Sequence, residues 1–265
     1  AVRARDAARS VNSFLVAVEF LTRLSVRRTP RSDLDEVARS QIWFPAIGLL
    51  IGAVLVAIDR LAIKALPTVS VDVLLVVALA LITGGLHLDG LADAADGLFG
   101  GYTTERRLEI MRDVHAGSFA IIAIVSALAL KWAGLAALPP NVRTETLLVV
   151  PCVARFAMLL TVAAFPYARV EGMGAIQHQR AGAVAVAVGG ATAAVAAVLL
   201  LGVGGVYVLA LAIGVALGVA FVAKRMVGGM TGDLYGATVE ISEVALLLFI
   251  AAFANRGWID AWLLG

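Results

Sequence analysis

The sequence VSVDVLLVVALALITGGLHLDGLADAADG, from Val69 to Gly97, joins an apolar run directly to a row of acids. The apolar part is long enough to cross about 30 Å of hydrocarbon as a helix. The acids Asp89, Asp93 and Asp96 follow at spacings of four and three, which places them within an arc of about 60° on an α-helix. No Lys or Arg lies near them in sequence, so the pattern predicts a bound cation.

The whole chain has the composition of an integral membrane protein. Of its 265 residues, 61% are hydrophobic and only 15% are charged, whereas soluble domains carry about 25% charged residues. We therefore predict one all-α domain over residues 1–265, a polytopic membrane helical bundle. Seven apolar runs are long enough to span: Phe44 to Leu66, Val69 to Leu88, Gly117 to Leu138, Thr146 to Phe165, Ala183 to Leu201, Gly205 to Ala223 and Glu243 to Leu264.

An eighth apolar segment, from Val11 to Val26, is shorter and carries Glu19 and Arg23 four residues apart. We expect it to lie along the interface or to insert partly. Most basic residues fall on the side of the N-terminus and of the acidic stretch, as the positive-inside rule requires of a cytoplasmic face. Three cytoplasmic loops, at about 89–116, 166–182 and 224–243, are predicted to form one site.

Two further features exclude other classes of function. The net charge is only +2, and no basic stripe is present, so a nucleic-acid partner is not expected. Cys152 is the sole cysteine, which excludes an intrachain disulfide and a cysteine zinc cluster. The lipid bilayer is the one partner that composition predicts.

A second acidic run, ERRLEIMRD, follows a glycine pair and places Glu105, Glu109 and Asp113 at successive i, i+4 positions. If this run is helical, it can face the first row of acids across the glycine turn. The predicted pocket then has five carboxylates: Asp89, Asp93, Asp96, Glu109 and Asp113. The competing interpretation is a solvated loop whose acids interact with the neighbouring arginines.

Such a cluster is costly without compensation, because a charge within the membrane costs about 2.5–3.5 kcal/mol on insertion scales. A divalent metal would compensate, and a set of oxygen ligands favours Mg²⁺ or Mn²⁺ over zinc. Metals held in this way serve diphosphate chemistry by neutralising charge on the leaving group.

The motifs resemble those of the cobalamin synthase family, the membrane-bound adenosylcobinamide-GDP ribazoletransferases of bacteria and archaea. The resemblance touches nearly the whole chain. Its segments are GGLHLDGLADAADG (Gly84 to Gly97), RRLEIMRDVHAG (Arg106 to Gly117), FLTR (Phe20 to Arg23), FPAIGLLIG (Phe44 to Gly52), FPYAR and GMG (Phe165 to Gly174), and GGMTGDLYGA (Gly228 to Ala237).

The resemblance implies a Mg²⁺-dependent enzyme of the cytoplasmic membrane. A hydroxyl of α-ribazole, or of its phosphate, would attack the phosphate of adenosylcobinamide-GDP and expel GMP, giving adenosylcobalamin or its phosphate. A homo-oligomer and contacts with other corrinoid-pathway enzymes are further expectations. The chain departs from the family at Val114-His115, where Ser-Arg is expected.

The residue pattern and the resemblance together predict roles for individual residues. The five acids are the expected metal ligands, and Asp96, Glu109 and Asp113 are the expected catalytic residues, with Asp113 as general base. Arginines suit phosphate oxygens, and a charge inside an apolar span is rarely idle. The expected substrate-binding residues are His87, Arg107, Arg112, His115, Arg155 and Asp233.

Two other functions fit part of the pattern. Asp89-x3-Asp93 is also typical of prenyl-diphosphate transferases, and Asp93-x2-Asp96-Gly97 resembles the opening of the CDP-alcohol phosphotransferase signature. A divalent-cation transporter would use the same acids as an ion path, although the internal repeat common in transporters is not evident.

Overall fold

The computed structural model describes residues 2–25, 34–168 and 182–261 and contains no β-strand within them, apart from an isolated bridge between Tyr167 and Met230. The helices in chain order are α1 (Val2–Leu21), α2 (Leu34–Ser40), α3 (Phe44–Ala62), α4 (Thr68–Thr83), α5 (Leu86–Gly100), α6 (Thr104–Ile110), α7 (Ser118–Ala136), α8 (Pro140–Ala164), α9 (Ala183–Leu201), α10 (Val203–Val227) and α11 (Gly232–Ala254).

The prediction of an all-α membrane bundle is confirmed. Among the described residues, six segments are long and apolar enough to cross a membrane: Glu36–Ala62, which comprises most of α2, a short turn and α3, and the helices α7 to α11. The pair α4 and α5 would make a seventh span, but it is bent by 89°. The apolar part of α1, Asn12–Leu21, is shorter than a span, in agreement with the short N-terminal segment predicted from the sequence.

The bend between α4 and α5 lies at Gly84 and Gly85. Both residues have positive φ, 64° and 73°, a region that glycine adopts without steric penalty. The backbone N–H of Arg23 donates to the carbonyl of Ile82, and the Arg23 side chain lies against Gly84. The acidic helix α5 therefore turns away from α4 and runs across one end of the bundle, which we call the acidic end.

The last span differs from its prediction. It begins at Gly232 and ends at Ala254, whereas hydropathy predicted Glu243 to Leu264. The side chain of Thr231 caps the helix by accepting from the N–H of Leu234, and the acids Glu240 and Glu243 are buried inside the bundle. The expected loop 224–243 is thus reduced to the residues between α10 and α11.

The two ends of the bundle are distinguished by contacts between distant segments. At the acidic end, the side chain of Thr104 donates to the carbonyl of Met226, and the backbones of Pro166 and Met230 are hydrogen-bonded. At the opposite end, the Asn255 amide donates to the carbonyl of Ala137. Residues 169–181, which include most of the expected loop 166–182, lie outside the described residues.

The contact between α3 and α8 depends on Gly48 and Gly52, spaced as small residues are at close helix crossings in membranes. A Cβ added to Gly48 would lie 2.4 Å from the carbonyl oxygen of Pro151, and one added to Gly52 would lie 2.5 Å from that of Leu147. Both neighbours are backbone atoms, which cannot turn aside as a side chain can.

Replacing Gly48 by Ala is therefore expected to destabilise the protein by about 1–3 kcal/mol, the range for overpacked sites. The thermal transition of the purified protein in detergent measures this effect. Gly218→Ala is the matched control, because an added Cβ at Gly218 meets nothing within 4 Å. Equal transitions for the two variants would contradict the packing of α3 on α8.

Candidate functional site

The first row of acids lies on one continuous helix, α5, as predicted. Asp89 is exposed, Asp93 is partly exposed, and Asp96 is buried. The opposite side of α5 packs into the bundle, where Gly90 meets Gly236 of α11. The carboxylates of Asp89 and Asp93, one turn apart, are thus presented on the open side of a helix that crosses the end of the bundle.

Asp96 has a second role that sequence reasoning missed. Its two carboxylate oxygens accept hydrogen bonds from the backbone N–H groups of Gly117, at 2.5 Å, and Ala120, at 2.9 Å. These groups lie at the start of α7, where backbone donors lack partners within the helix and a negative charge is favourable. Asp96 therefore caps α7 and fixes it against α5. A Cβ added to Gly117 would lie 2.8 Å from this carboxylate, so glycine leaves it room.

The second row of acids does not form the expected helical face. Helix α6 ends at Ile110, so Asp113 lies beyond it. The Asp113 carboxylate accepts from the backbone N–H of His115 and lies 2.7 Å from its Nδ1. Local bonds of this kind compete with helix formation. Glu109 is exposed and pairs with Arg106 of its own helix at 2.7 Å.

The contact with His115 also affects the chemistry of Asp113. The hydrogen bond from the His115 side chain, and to a lesser extent that from the His115 backbone N–H, lowers the pKa of the Asp113 carboxyl below its usual value. A carboxylate with a lowered pKa is a weaker base. The role of general base proposed for Asp113 would therefore require the imidazole of His115 to move away or to take part.

Among the described residues, no group of three or more His, Cys, Asp or Glu side chains is arranged to hold a metal ion. The structure therefore does not assemble the five predicted carboxylates into one pocket. The pair formed by the exposed Asp89 and the partly exposed Asp93 nevertheless fits Mg²⁺, because this ion is commonly bound by one or two carboxylates together with water and substrate phosphates.

The predicted phosphate-binding arginines have different surroundings. Arg107 packs on Gly101 and donates to the carbonyl of Met226 at 3.1 Å, so it joins α6 to the end of α10. Arg112 is exposed on the turn after α6. It therefore remains open to solvent at the acidic end, close in sequence to Asp113 and His115.

Asp233 lies in the first turn of α11, beside α5. Its carbonyl oxygen would be 2.8 Å from a Cβ added to Gly90, and its carboxylate accepts from the hydroxyl of Thr231 at 3.2 Å. The glycine-rich segment Gly228 to Ala237 thus brings α11 directly against the acidic helix. Arg169, at the end of the FPYAR motif, lies outside the described residues.

His87 and Arg155 belong to the interior. Both side chains are buried, and Arg155 Nη2 lies 3.4 Å from His87 Nδ1. Arg155 also pairs with Glu243 of α11. They are accordingly placed among buried charges, away from the open side of α5.

Lys131, Glu240 and Glu243 also belong to this buried cluster, although none of them was among the predicted site residues. Lys131 pairs with both glutamates and is itself buried. The available signal was a lysine inside an apolar span together with two acids three residues apart, since buried charges are usually paired.

Comparison with known proteins identifies the chain's relatives. The family model described as cobalamin-5-phosphate synthase matches residues 13–251. An adenosylcobinamide-GDP ribazoletransferase of Geotalea daltonii is 36% identical over 92% of this chain and 98% of its own length. One of Syntrophobacter fumaroxidans is 40% identical, covering 88% and 96%, and one of Pseudomonas fluorescens is 36% identical, covering 91% and 99%.

No solved structure matches the chain. The family model covers most of the sequence. It includes all of α5 and α6, and it includes α11 as far as residue 251. The family predicted from the motifs is confirmed, and the chain belongs to the cobalamin-5-phosphate synthase family.

Proposed function

We propose that this protein is an adenosylcobinamide-GDP ribazoletransferase that uses Mg²⁺, or Mn²⁺ in its place. The observation that carries the proposal is the pair formed by the exposed Asp89 and the partly exposed Asp93, on a helix that crosses the end of a membrane bundle. The relatives that bear this enzyme name match nearly the full chain. Asp89 and Asp93 would hold Mg²⁺, and a diphosphate substrate would supply further oxygen ligands.

In the proposed reaction, a hydroxyl oxygen of α-ribazole, or of its phosphate, forms a bond to the phosphorus attached to cobinamide. The bond from that phosphorus to the bridging oxygen breaks, GMP leaves with the electron pair, and the hydroxyl proton passes to a base. Bound Mg²⁺ would neutralise charge on the diphosphate and on departing GMP. Asp89 and Asp93 would hold it.

The other residues of the acidic end would orient the substrates. The exposed guanidinium of Arg112 is suited to two phosphate oxygens at once. Asp113 remains the proposed base, and the imidazole of His115 would move away or take part when Asp113 accepts a proton. Asp96 would act through its cap on α7, which holds α5 in place.

We further propose that the acidic end faces the cytoplasm. Arg106, Arg107 and Arg112 lie at this end, as do Lys224 and Arg225 in the last turn of α10. At the opposite end, the basic side chains among the described residues are Arg60, Lys64, Arg143 and Arg256, and that of Arg143 is buried and paired with two aspartates. This asymmetry follows the positive-inside rule and gives soluble nucleotides access to the site.

The test is release of GMP by the purified protein in lipid nanodiscs. With Mg²⁺, adenosylcobinamide-GDP and either α-ribazole or its phosphate, we expect equal amounts of GMP and corrinoid product. A prenyl diphosphate and a CDP-alcohol are the comparison substrates. Consumption of either one without GMP release from adenosylcobinamide-GDP would contradict the assignment.

A further inference from the structure

A cluster of charged side chains is buried between four helices of the bundle. We call it the buried ionic network, and its members are His87 of α5, Lys131 of α7, Arg155 of α8, and Glu240 and Glu243 of α11. None of the five is more than 4% exposed. Groups so deeply buried are costly unless paired, so their arrangement requires an explanation.

The network is balanced in charge and has a definite order of contacts. Lys131 Nζ lies 2.7 Å from a carboxylate oxygen of Glu240 and also pairs with Glu243. Arg155 pairs with the other oxygen of Glu243 through Nη1. Two cations thus face two anions, and Glu243 joins them.

The second arm of Arg155 extends the network to the acidic helix. Its Nη2 lies 3.4 Å from His87 Nδ1. Because a guanidinium has donors only, Nδ1 is assigned as the acceptor and the imidazole proton is placed on Nε2. His87 stands in the first turn of α5, two residues before Asp89.

Beyond its covalent link to α4, helix α5 is held by contacts of its first turn with the rest of the bundle. The link is Gly84-Gly85, with positive φ at both residues. On the α11 side, Gly236 touches Gly90 and the backbone of His87. Glu243 follows Gly236 by seven residues, which places both on one face of α11. The first turn of α5 is therefore held twice, by backbone packing and through Arg155.

We propose that Arg155 and His87 are positioning residues, which set the direction of α5 and thereby the placement of Asp89 and Asp93. The effect on catalysis rests on the proposed function. The effect on the direction of α5 rests on the contacts alone. Lys131 and Glu240 have a different role. Lys131 pairs with both glutamates, and Glu240 supplies the second negative charge that balances the two cations around Glu243.

Two double variants separate these parts, because each removes one cation and one anion from the network. Arg155→Met with Glu240→Gln leaves Lys131 and Glu243 paired but cuts the link to His87. Lys131→Met with Glu240→Gln keeps the charge balance and also keeps the chain from Glu243 through Arg155 to His87. Both are compared with the wild type in the same nanodiscs.

The first measurement is the Mg²⁺ concentration for half-maximal GMP release. Groups that orient metal ligands typically change metal affinity or activity by about 10–100-fold, so we expect a rise of that size in the link-cutting pair. The link-sparing pair should respond to Mg²⁺ as the wild type does. Equal responses of the two pairs would overturn the inference.

The second measurement does not need activity. Spin labels are attached at Leu86→Cys on α5 and Val206→Cys on α10, and pulsed electron paramagnetic resonance measures the distance between them. Cys152 is too buried to be labelled. We expect a broader or shifted distance distribution in the link-cutting pair only. A wild-type distribution in that pair would overturn the inference, even if the wild type released no GMP and the proposed function had failed.

Single variants of His87 provide the same test if the link-cutting pair does not fold. His87→Asn keeps an acceptor oxygen for Arg155, whereas His87→Leu removes it. We expect His87→Asn to preserve the distance distribution and the Mg²⁺ response, and His87→Leu to lose both. Identical behaviour of the two variants would contradict a positioning role.

Discussion

Replacing Asp93 by Asn is expected to lower GMP release by about 10³-fold or more while the protein remains folded and inserted. The physical reason is that the substitution removes the carboxylate charge from a partly exposed position on α5 and keeps the size of the side chain. Loss of a metal that contributes several kcal/mol to charge stabilisation corresponds to a loss of this order. Asp89→Asn should have the same effect.

The matched control is Glu105→Gln on α6, an exposed acid at the same end of the molecule. It changes the charge equally and should retain activity near that of the wild type. The measurement is the initial rate of GMP release at saturating Mg²⁺, with thermal transitions recorded to verify folding. Full activity in Asp93→Asn would show that Asp93 of α5 does not bind the metal.

Replacing Arg143 by Met is expected to produce the largest loss of stability. Arg143 Nη2 lies 2.8 Å from Asp59 Oδ1 and 2.7 Å from Asp72 Oδ1, and all three side chains are buried. This cation joins the end of α3, the first part of α4 and the start of α8. Its removal leaves two buried carboxylates without their partner, which costs about 3–5 kcal/mol.

The thermal transition of the purified protein should fall by about 10 °C, given the usual relation between free energy and transition temperature for chains of this size. The matched variant is Arg60→Met, because Arg60 is exposed and donates to the hydroxyl of Thr144. If both variants melted at the same temperature, the contacts of Arg143 with Asp59 and Asp72 would not stabilise the protein.

The spans were predictable where apolar residues run without interruption. The run Ala183 to Leu201 is the same in sequence and structure. The last span was predicted about ten residues too late in the sequence, because Glu240 and Glu243 were interpreted as parts of a polar loop. Their partners Lys131 and Arg155 are 112 and 88 residues distant from Glu243 in sequence, and no local pattern indicates such pairing.

The candidate site was predictable in its first half only. The arc formed by Asp89, Asp93 and Asp96 depends on helical spacing, which α5 keeps. The expected face through Asp113 assumed that α6 continues, but a local bond between Asp113 and His115 lies beyond the end of that helix. The cap that Asp96 makes on α7 involves residues more than twenty positions away, so its burial could not be anticipated from the spacing of the acids.

Metal binding by the acidic face of α5 is the property on which the proposed function depends most. Titration of the purified wild-type protein with Mn²⁺, followed by electron paramagnetic resonance, should reveal bound ion that Mg²⁺ displaces and that adenosylcobinamide-GDP makes tighter. The doubly substituted Asp89→Asn, Asp93→Asn protein should lose this binding while Glu105→Gln retains it. Equal Mn²⁺ binding by the doubly substituted protein and the wild type would contradict the account.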